Sequence, residues 1–196
     1  MKILIFTILI FLYNYDKSFA IIQCNEIEPY DASLSSMRTM RADFVQNING
    51  QYHSSGVFLL KKPTKILIDY NKGEVNAFVG VNGNLATYLD KDLEQISHIP
   101  KDKTPAHFIL NGDKKLLSMN IIKCGKIENN EYAVTFVQDT NLISGKFTLI
   151  FNQETLDITR ILVSQKGSDD VEIKFFNTKI NTEIPDKNFI IKDPRL

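Results

Sequence analysis

Apolar and polar residues alternate along most of this chain, in short runs separated by turn residues. The exception comes early. Over residues 26–37, Ile27, Tyr30, Leu34 and Met37 recur every three or four positions, which is the one-sided stripe of a helix. Pro29 is tolerated there, because a first helical turn has no use for its missing amide hydrogen. From Arg41 onward the period changes to two. Residues 44–48 and 57–61 are predicted to pair around Asn49-Gly50. Pro63 has no N–H to give a ladder and breaks the alternation. A strand over 65–70 places Ile66, Ile68 and Tyr70 on one face. Residues 77–81 and 85–89 flank Asn82-Gly83-Asn84, a strong hairpin signal, and 93–99 reads as a further strand.

A short greasy helix is predicted over 104–110. Thr104 suits its cap, Pro105 its first position and Gly112 its stop. A further helical turn runs through Leu116 and Leu117. Strands then resume. Residues 120–127 and 132–138 bracket Glu128-Asn129-Asn130, and 146–151 and 156–165 bracket Asn152-Gln153. Residues 171–180 come after a polar turn at 166–170, and 189–192 close the sheet after Pro185-Asp186. About ten strands against two or three helices make the fold mainly β. Closely joined strands favour an antiparallel sheet, and so many of them favour curling into a barrel or half-barrel.

The first twenty residues fall outside this pattern. Lys2 is followed by an apolar run from Ile3 to Tyr13, and Ser18-Phe19-Ala20 supplies small residues for cleavage. Residues 1–20 are therefore expected to be a secretory signal, because a spanning helix needs about 20 apolar residues. Gln23 before Cys24 does not fit a lipid-attachment signal. Residues 21–196 then form one domain. Its 21 basic and 22 acidic residues nearly cancel, so no global field gathers nucleic acid. Cys24 and Cys124 would both be exported. An oxidising compartment allows them to pair, while the place of Cys24 near a free end leaves two unpaired thiols equally open.

Candidate chemistry is sparse. His53, His98 and His107 form no HExxH and no metal-ligand spacing, and GxSxG and the P-loop are absent. Asp169-Asp170 reads as a solvated turn tip. Neither a metal nor a cofactor is expected, and catalysis is not, although a Ser/His/Asp site assembled in space would leave no such signature. Greasy surface is plentiful, with 13 Phe and 7 Tyr. Strands with one apolar face can curl around a packed core or around a cavity, and the residues alone leave both open.

The order and spacing of several segments resemble the LolA family. These are Phe44-Val45-Gln46, Gly56 through Pro63, Ile66 through Tyr70, Asn82-Gly83, and Thr104-Pro105 through Leu110. The tail from Phe175 to Asn181, and Ile184-Pro185-Asp186-Lys187-Asn188-Phe189, are similar to that family's closing segment. The resemblance implies an incomplete antiparallel barrel covered by short lid helices. It implies a monomeric periplasmic carrier, not an enzyme, that shields lipoprotein acyl chains in a hydrophobic cup. Its implied partners are acylated lipoproteins, an inner-membrane ABC release complex and an outer-membrane receptor, with no nucleic acid. An outer-membrane receptor of the same fold and an exported β-rich hydrolase are the competing readings.

The candidate cup residues on this resemblance are Phe44, Phe58, Leu60, Ile66 and Ile68, together with Tyr70, Phe78, Tyr88, Phe108 and Leu110. Lys62-Pro63 matches the family's Arg-Pro pair, which gives Lys62 a lid contact. Its target would be carbonyls of the 104–110 helix or of the opening helix. Lysine brings a point charge where arginine brings a planar fork.

Overall fold

The structure is a computed structural model and describes residue 24 and residues 26–101, 110, 116–139, 144–165 and 167–193. The chain begins with helix α1 (Glu28–Ser36). Strands β1 (Thr39–Ile48), β2 (Gln51–Lys61), β3 (Lys65–Gly73), β4 (Ala77–Asn82), β5 (Leu85–Asp90) and β6 (Gln95–Pro100) follow. After a 3-10 turn at Leu116–Ser118 come β7 (Ile121–Ile127), β8 (Glu131–Asp139), β9 (Ser144–Asn152), β10 (Ile158–Gln165) and β11 (Val171–Ile180). All eleven described strands form one antiparallel sheet, in the order β6-β5-β4-β3-β2-β1-β11-β10-β9-β8-β7. The sheet is not closed into a barrel.

The turns are where local chemistry wrote the fold. Asn49 and Gly50 both take positive φ (50° and 78°), which matches the right-handed twist of the strands they join. Ile48 pairs directly with Gln51, so β2 begins well before the Val57 start that the alternation predicts. Gly83, at φ 64°, turns β4 into β5 as expected. Strands β6 and β10 start late, at Gln95 and Ile158, for one shared reason. The Asp90 carboxylate accepts the amide hydrogens of Asp92 and Leu93 before β6. The Asn152 side-chain oxygen accepts those of Glu154 and Thr155 before β10. Such side-chain turns outcompete the ladder locally. Gly56 sits at a register shift between β2 and β3, where a Cβ would lie 1.8 Å from the Asp69 carbonyl oxygen.

One expectation fails. Residues 189–192 do not close the sheet. The tail instead forms a 3-10 turn at Asp186–Phe189. Phe189 and Ile184 bury against Leu59 and Leu67 on the outer face of β2 and β3. Lys61 donates to the Asp186 carboxylate (2.6 Å) and to the Ile184 carbonyl (3.3 Å), and Lys65 pairs with the other Asp186 oxygen (2.8 Å). An apolar alternation that looks like a strand serves here as a strap, because two outward lysines hold its polar start. The predicted helix at 104–110 lies outside the described residues except for Leu110, which is fully buried.

The main core lies on the inner face. Met40, Ala42 and Phe44 of β1 meet Phe58 and Leu60 of β2, and Val134, Phe136, Phe147 and Phe151 arrive from β8 and β9. Val81 of β4 and Ala86 of β5 belong to the same core, so strands near opposite ends of the sheet share one interior, which requires the sheet to wrap over itself.

Candidate functional site

Inside the wrapped sheet lies an apolar cavity of about 300 Å³. One wall comes from β2 to β6 and carries Phe58, Ile66, Ile68, Val81, Tyr88 and Ile99. The other comes from β8 to β11 and carries Phe136, Phe147, Ile161, Val163 and Phe175. Thr87, Ser97 and Tyr88 bring hydroxyl-bearing side chains to the lining. The alternation explains the first wall: Ile66 and Ile68 point in because Leu67 and Asp69 point out, and Val79 and Val81 repeat the pattern on β4. An apolar lining of this volume matches the lower range of small-molecule sites, roughly 300–1,000 Å³. Among the described residues no three His, Cys, Asp or Glu side chains gather as a metal site would.

The structure divides the candidate residues. Phe58, Ile66, Ile68 and Tyr88 line the cavity. Phe44, Leu60, Tyr70 and Leu110 are buried in the main core without lining it. Phe44 meets Tyr70 edge-on, with ring centroids 5.1 Å apart. Phe78 is on the outer face, packed with the Leu59 and Leu67 cluster under the Lys91 ammonium. Its neighbour Val79 takes the inner position, so parity excludes Phe78 from the cup. Phe108 lies outside the described residues. The resemblance supplies no cup residue beyond Leu110, so the whole second wall goes unnamed by it. Inward positions every second residue on β8 to β11 would have supplied that wall, had the two halves of the chain been known to face each other.

Tyr70 carries a buried polar group close to this interior. Its hydroxyl donates to the Gln46 side-chain oxygen (2.6 Å), and burial, with Tyr88 nearby, pushes its pKa up to about 12. The phenol is held neutral as a fixed donor.

A smaller void of about 20 Å³ sits under α1. Leu34, Met37, Met40 and Met119 bound it, and it shares Phe58, Phe136 and Phe175 with the large cavity. Helix α1 is held over this end from several sides. Lys62 Nζ donates to the Leu34 carbonyl oxygen (2.6 Å), and burial lowers the Lys62 pKa. The Leu116 amide donates to the buried Asp31 carboxylate. Tyr30 stacks on Tyr132 at 4.3 Å. Ahead of the helix, Glu26 pairs with Lys126 (2.7 Å), and Cys24 is disulfide-bonded to Cys124. Lys61 and Lys62 thus serve opposite faces, one holding the C-terminal strap and the other α1.

Comparison with solved structures returns proteins of the same fold at low identity. An uncharacterized conserved protein from Thermus thermophilus matches with a TM-score of 0.52 and 8% identity, covering 83% of this chain and 89% of that one. A putative outer membrane lipoprotein-sorting protein domain from Vibrio parahaemolyticus matches with a TM-score of 0.50 and 10% identity, covering 84% and 94%. Comparison with curated proteins by sequence returns no match. The family model described as outer membrane lipoprotein carrier protein LolA matches residues 35–192. That span takes in every described strand of the sheet and both walls of the cavity. The chain belongs to the LolA family, whose fold is a binding and carrier fold and not that of an enzyme family.

Proposed function

We propose that this protein is a periplasmic carrier that shields lipoprotein acyl chains and moves lipoproteins from an inner-membrane ABC release complex to an outer-membrane receptor. The observation that carries this reading is the 300 Å³ apolar cavity between the two walls of the sheet. An acyl chain of about 15 methylenes costs roughly 12 kcal/mol in water, at about 0.8 kcal/mol per methylene. A carrier must offset most of that and still release its cargo. Aromatic and branched side chains with few polar atoms offer the first. The second needs a cavity that does not close tightly around an empty core. Cys24 has its sulfur in the bond to Cys124, which favours a free carrier over a receptor anchored through that cysteine.

Native mass spectrometry of protein purified from the periplasm tests the reading, with co-purified acylated protein as the expected result. Ile68→Glu gives the residue-level arm. The variant is expected to stay folded and to lose uptake of an acylated peptide, since a charge in the lining removes the apolar contact the chain needs. An unfolded variant would mean that Ile68 is packed core, and full uptake by a folded one would remove the cavity from the function.

A further inference from the structure

We infer that the outer edge of β6 binds the peptide next to the acylated residue of the cargo, as an added strand at the mouth of the cavity. The inference rests on the carrier reading above. Exposure locates the mouth. Tyr88 and Ile99 line the cavity yet are 42% and 50% exposed, whereas Phe58, Ile66, Phe136 and Phe147 of the same lining are buried. The cavity therefore opens beside β5 and β6. An acyl chain that enters there leaves the residue it is attached to next to β6.

Strands β6 and β7 end the sheet, and among the described residues β6 pairs with β5 alone. The two ends differ. β7 carries Lys123 and Lys126, a register shift between Ile121 and Lys123, and a positive φ at Gly125. Its Cys124 and Lys126 also hold Cys24 and Glu26. Charge and irregularity of this kind keep an edge from pairing with another chain. β6 reads Gln95-Ile96-Ser97-His98-Ile99-Pro100, with no carboxylate, lysine or arginine, and keeps an unbroken register with β5. The Lys101 amide donates to the Asn84 carbonyl, so by alternation the Ser97 and Ile99 amides also face β5. The Ile96 and His98 amides face away from it. Pro100 falls in the same outward set, where its missing N–H costs no bond to β5. An added strand thus meets two N–H donors and the carbonyls of Ile96, His98 and Pro100. Its side chains alternate between the cavity mouth at Ile99 and an outer-face groove of about 150 Å³ lined in part by Ile96, His98 and Ile190. Main-chain bonds of this kind supply affinity and demand no particular cargo sequence. Attachment through the acyl chain makes the pairing intramolecular, so a short strand suffices.

The test compares N-methylpalmitamide with an N-palmitoylated hexapeptide of threonine and valine. The lipopeptide is expected to bind about tenfold more tightly, the worth of roughly one to two backbone hydrogen bonds. Hydrogen exchange followed by NMR should slow at the Ile96 and His98 amides with the lipopeptide and not with the simple amide. N-methylating one alternate set of peptide amides should remove the gain, and methylating the other set should leave it. Equal affinity of the two probes, unchanged exchange at Ile96 and His98, or the same response to both methylated sets overturns the inference and leaves the carrier reading standing. Protection of those two amides in a ligand-free dimer assigns the edge to a second copy of this chain and overturns it as well. His98→Pro removes one outward donor and no bond to β5. This variant should hold the simple amide as the parent does and lose most of the lipopeptide's advantage, and an advantage kept in full overturns the inference. Binding of neither probe overturns the carrier reading together with it, so the two failures are distinct.

Discussion

The two ends of the inner face are built from the same kinds of residue and finish in opposite states. Under α1, Tyr30 stacks on Tyr132 and leans on Phe151 at 5.4 Å, and the void bounded by Leu34, Met37, Met40 and Met119 is about 20 Å³. Toward β6, Phe58, Ile66, Ile68 and Tyr88 surround about 300 Å³. Large apolar and aromatic side chains line both. The difference is that α1 and the residues flanking it deliver Ile27, Tyr30 and Met37 into one end as fillers. Apolar composition therefore does not distinguish core from cup. Whether a further element supplies side chains to fill the space does.

The largest effect expected from breaking this comparison comes from the filled end's covalent tie. Cys24→Ser/Cys124→Ser should cost roughly 4–5 kcal/mol, the chain-entropy value for a loop of about 100 residues, measured by urea denaturation. Removing the disulfide should also leave the lining of the hollow end unchanged, so acyl-chain affinity stays near that of the parent. The next test is a pair of truncations. Phe151→Ala under α1 should cost about 3–5 kcal/mol, whereas Ile68→Ala beside the cavity should cost about 2 kcal/mol or less, because its neighbours already lack partners on one side. Equal costs would mean that the cavity wall is packed as tightly as the core.

Alkali probes the interior without changing volume. The Tyr70 pKa is raised above the ordinary value of 10 to about 12. A raised value means that its contribution is fully present below pH 10 and is lost as pH rises through about 12. Roughly 2–3 kcal/mol should disappear over that window, at about 1.36 kcal/mol per unit. Burial also raises the Tyr30 and Tyr132 pKa values, so absorbance titration should show a late phenolate signal of which Tyr70→Phe removes one part.

A smaller change is expected at Lys62. Replacing it with alanine frees the Leu34 carbonyl and should cost at most about 1.5 kcal/mol, near the lower bound for a charge-assisted bond. Binding of a hydrophobic dye should rise as α1 loosens. Dye binding equal to the parent's would reduce Lys62 to a surface charge.

The smallest effect lies on the outer face. Hydrogen bonds from Lys61 and Lys65 hold the Asp186 pKa down to about 2. A lowered value means that the strap's clasp is complete above the usual carboxylate range and is lost as pH falls through about 2. Hydrogen exchange near Phe189 should quicken over that acid window, and Asp186→Asn should flatten the response.

The alternation of side chains was enough to place the strands of the sheet and their parity, because a strand's two faces are fixed by the backbone alone. Asn49-Gly50 and Asn82-Gly83 set two hairpins for a similarly local reason, since few residues tolerate positive φ. Local signals also placed Ile66 and Ile68 on the inner face. Phe78 misleads because its ring suggests a lining residue, while Val79 and Val81 hold the inner positions of β4 and leave it the outer one. Residues 189–192 mislead because an outer apolar patch at Leu59 and Leu67 attracts the same alternation that a strand would show.

The sequence by itself determined the antiparallel β class, the helix stripe at Ile27, Tyr30 and Met37, and the near-zero charge. Each of these depends on residues close in the chain or on composition. Only the tertiary structure decided which apolar residues enclose empty space. Phe58 and Phe147 lie far apart in the chain, and they share a cavity because the sheet wraps until β2 faces β9. It also decided that Cys24 meets Cys124, and that Lys61 and Lys62 take different partners on opposite sides. Closure of a long loop and the choice of a distant partner are settled by the whole sheet's curvature, which no local run of residues encodes.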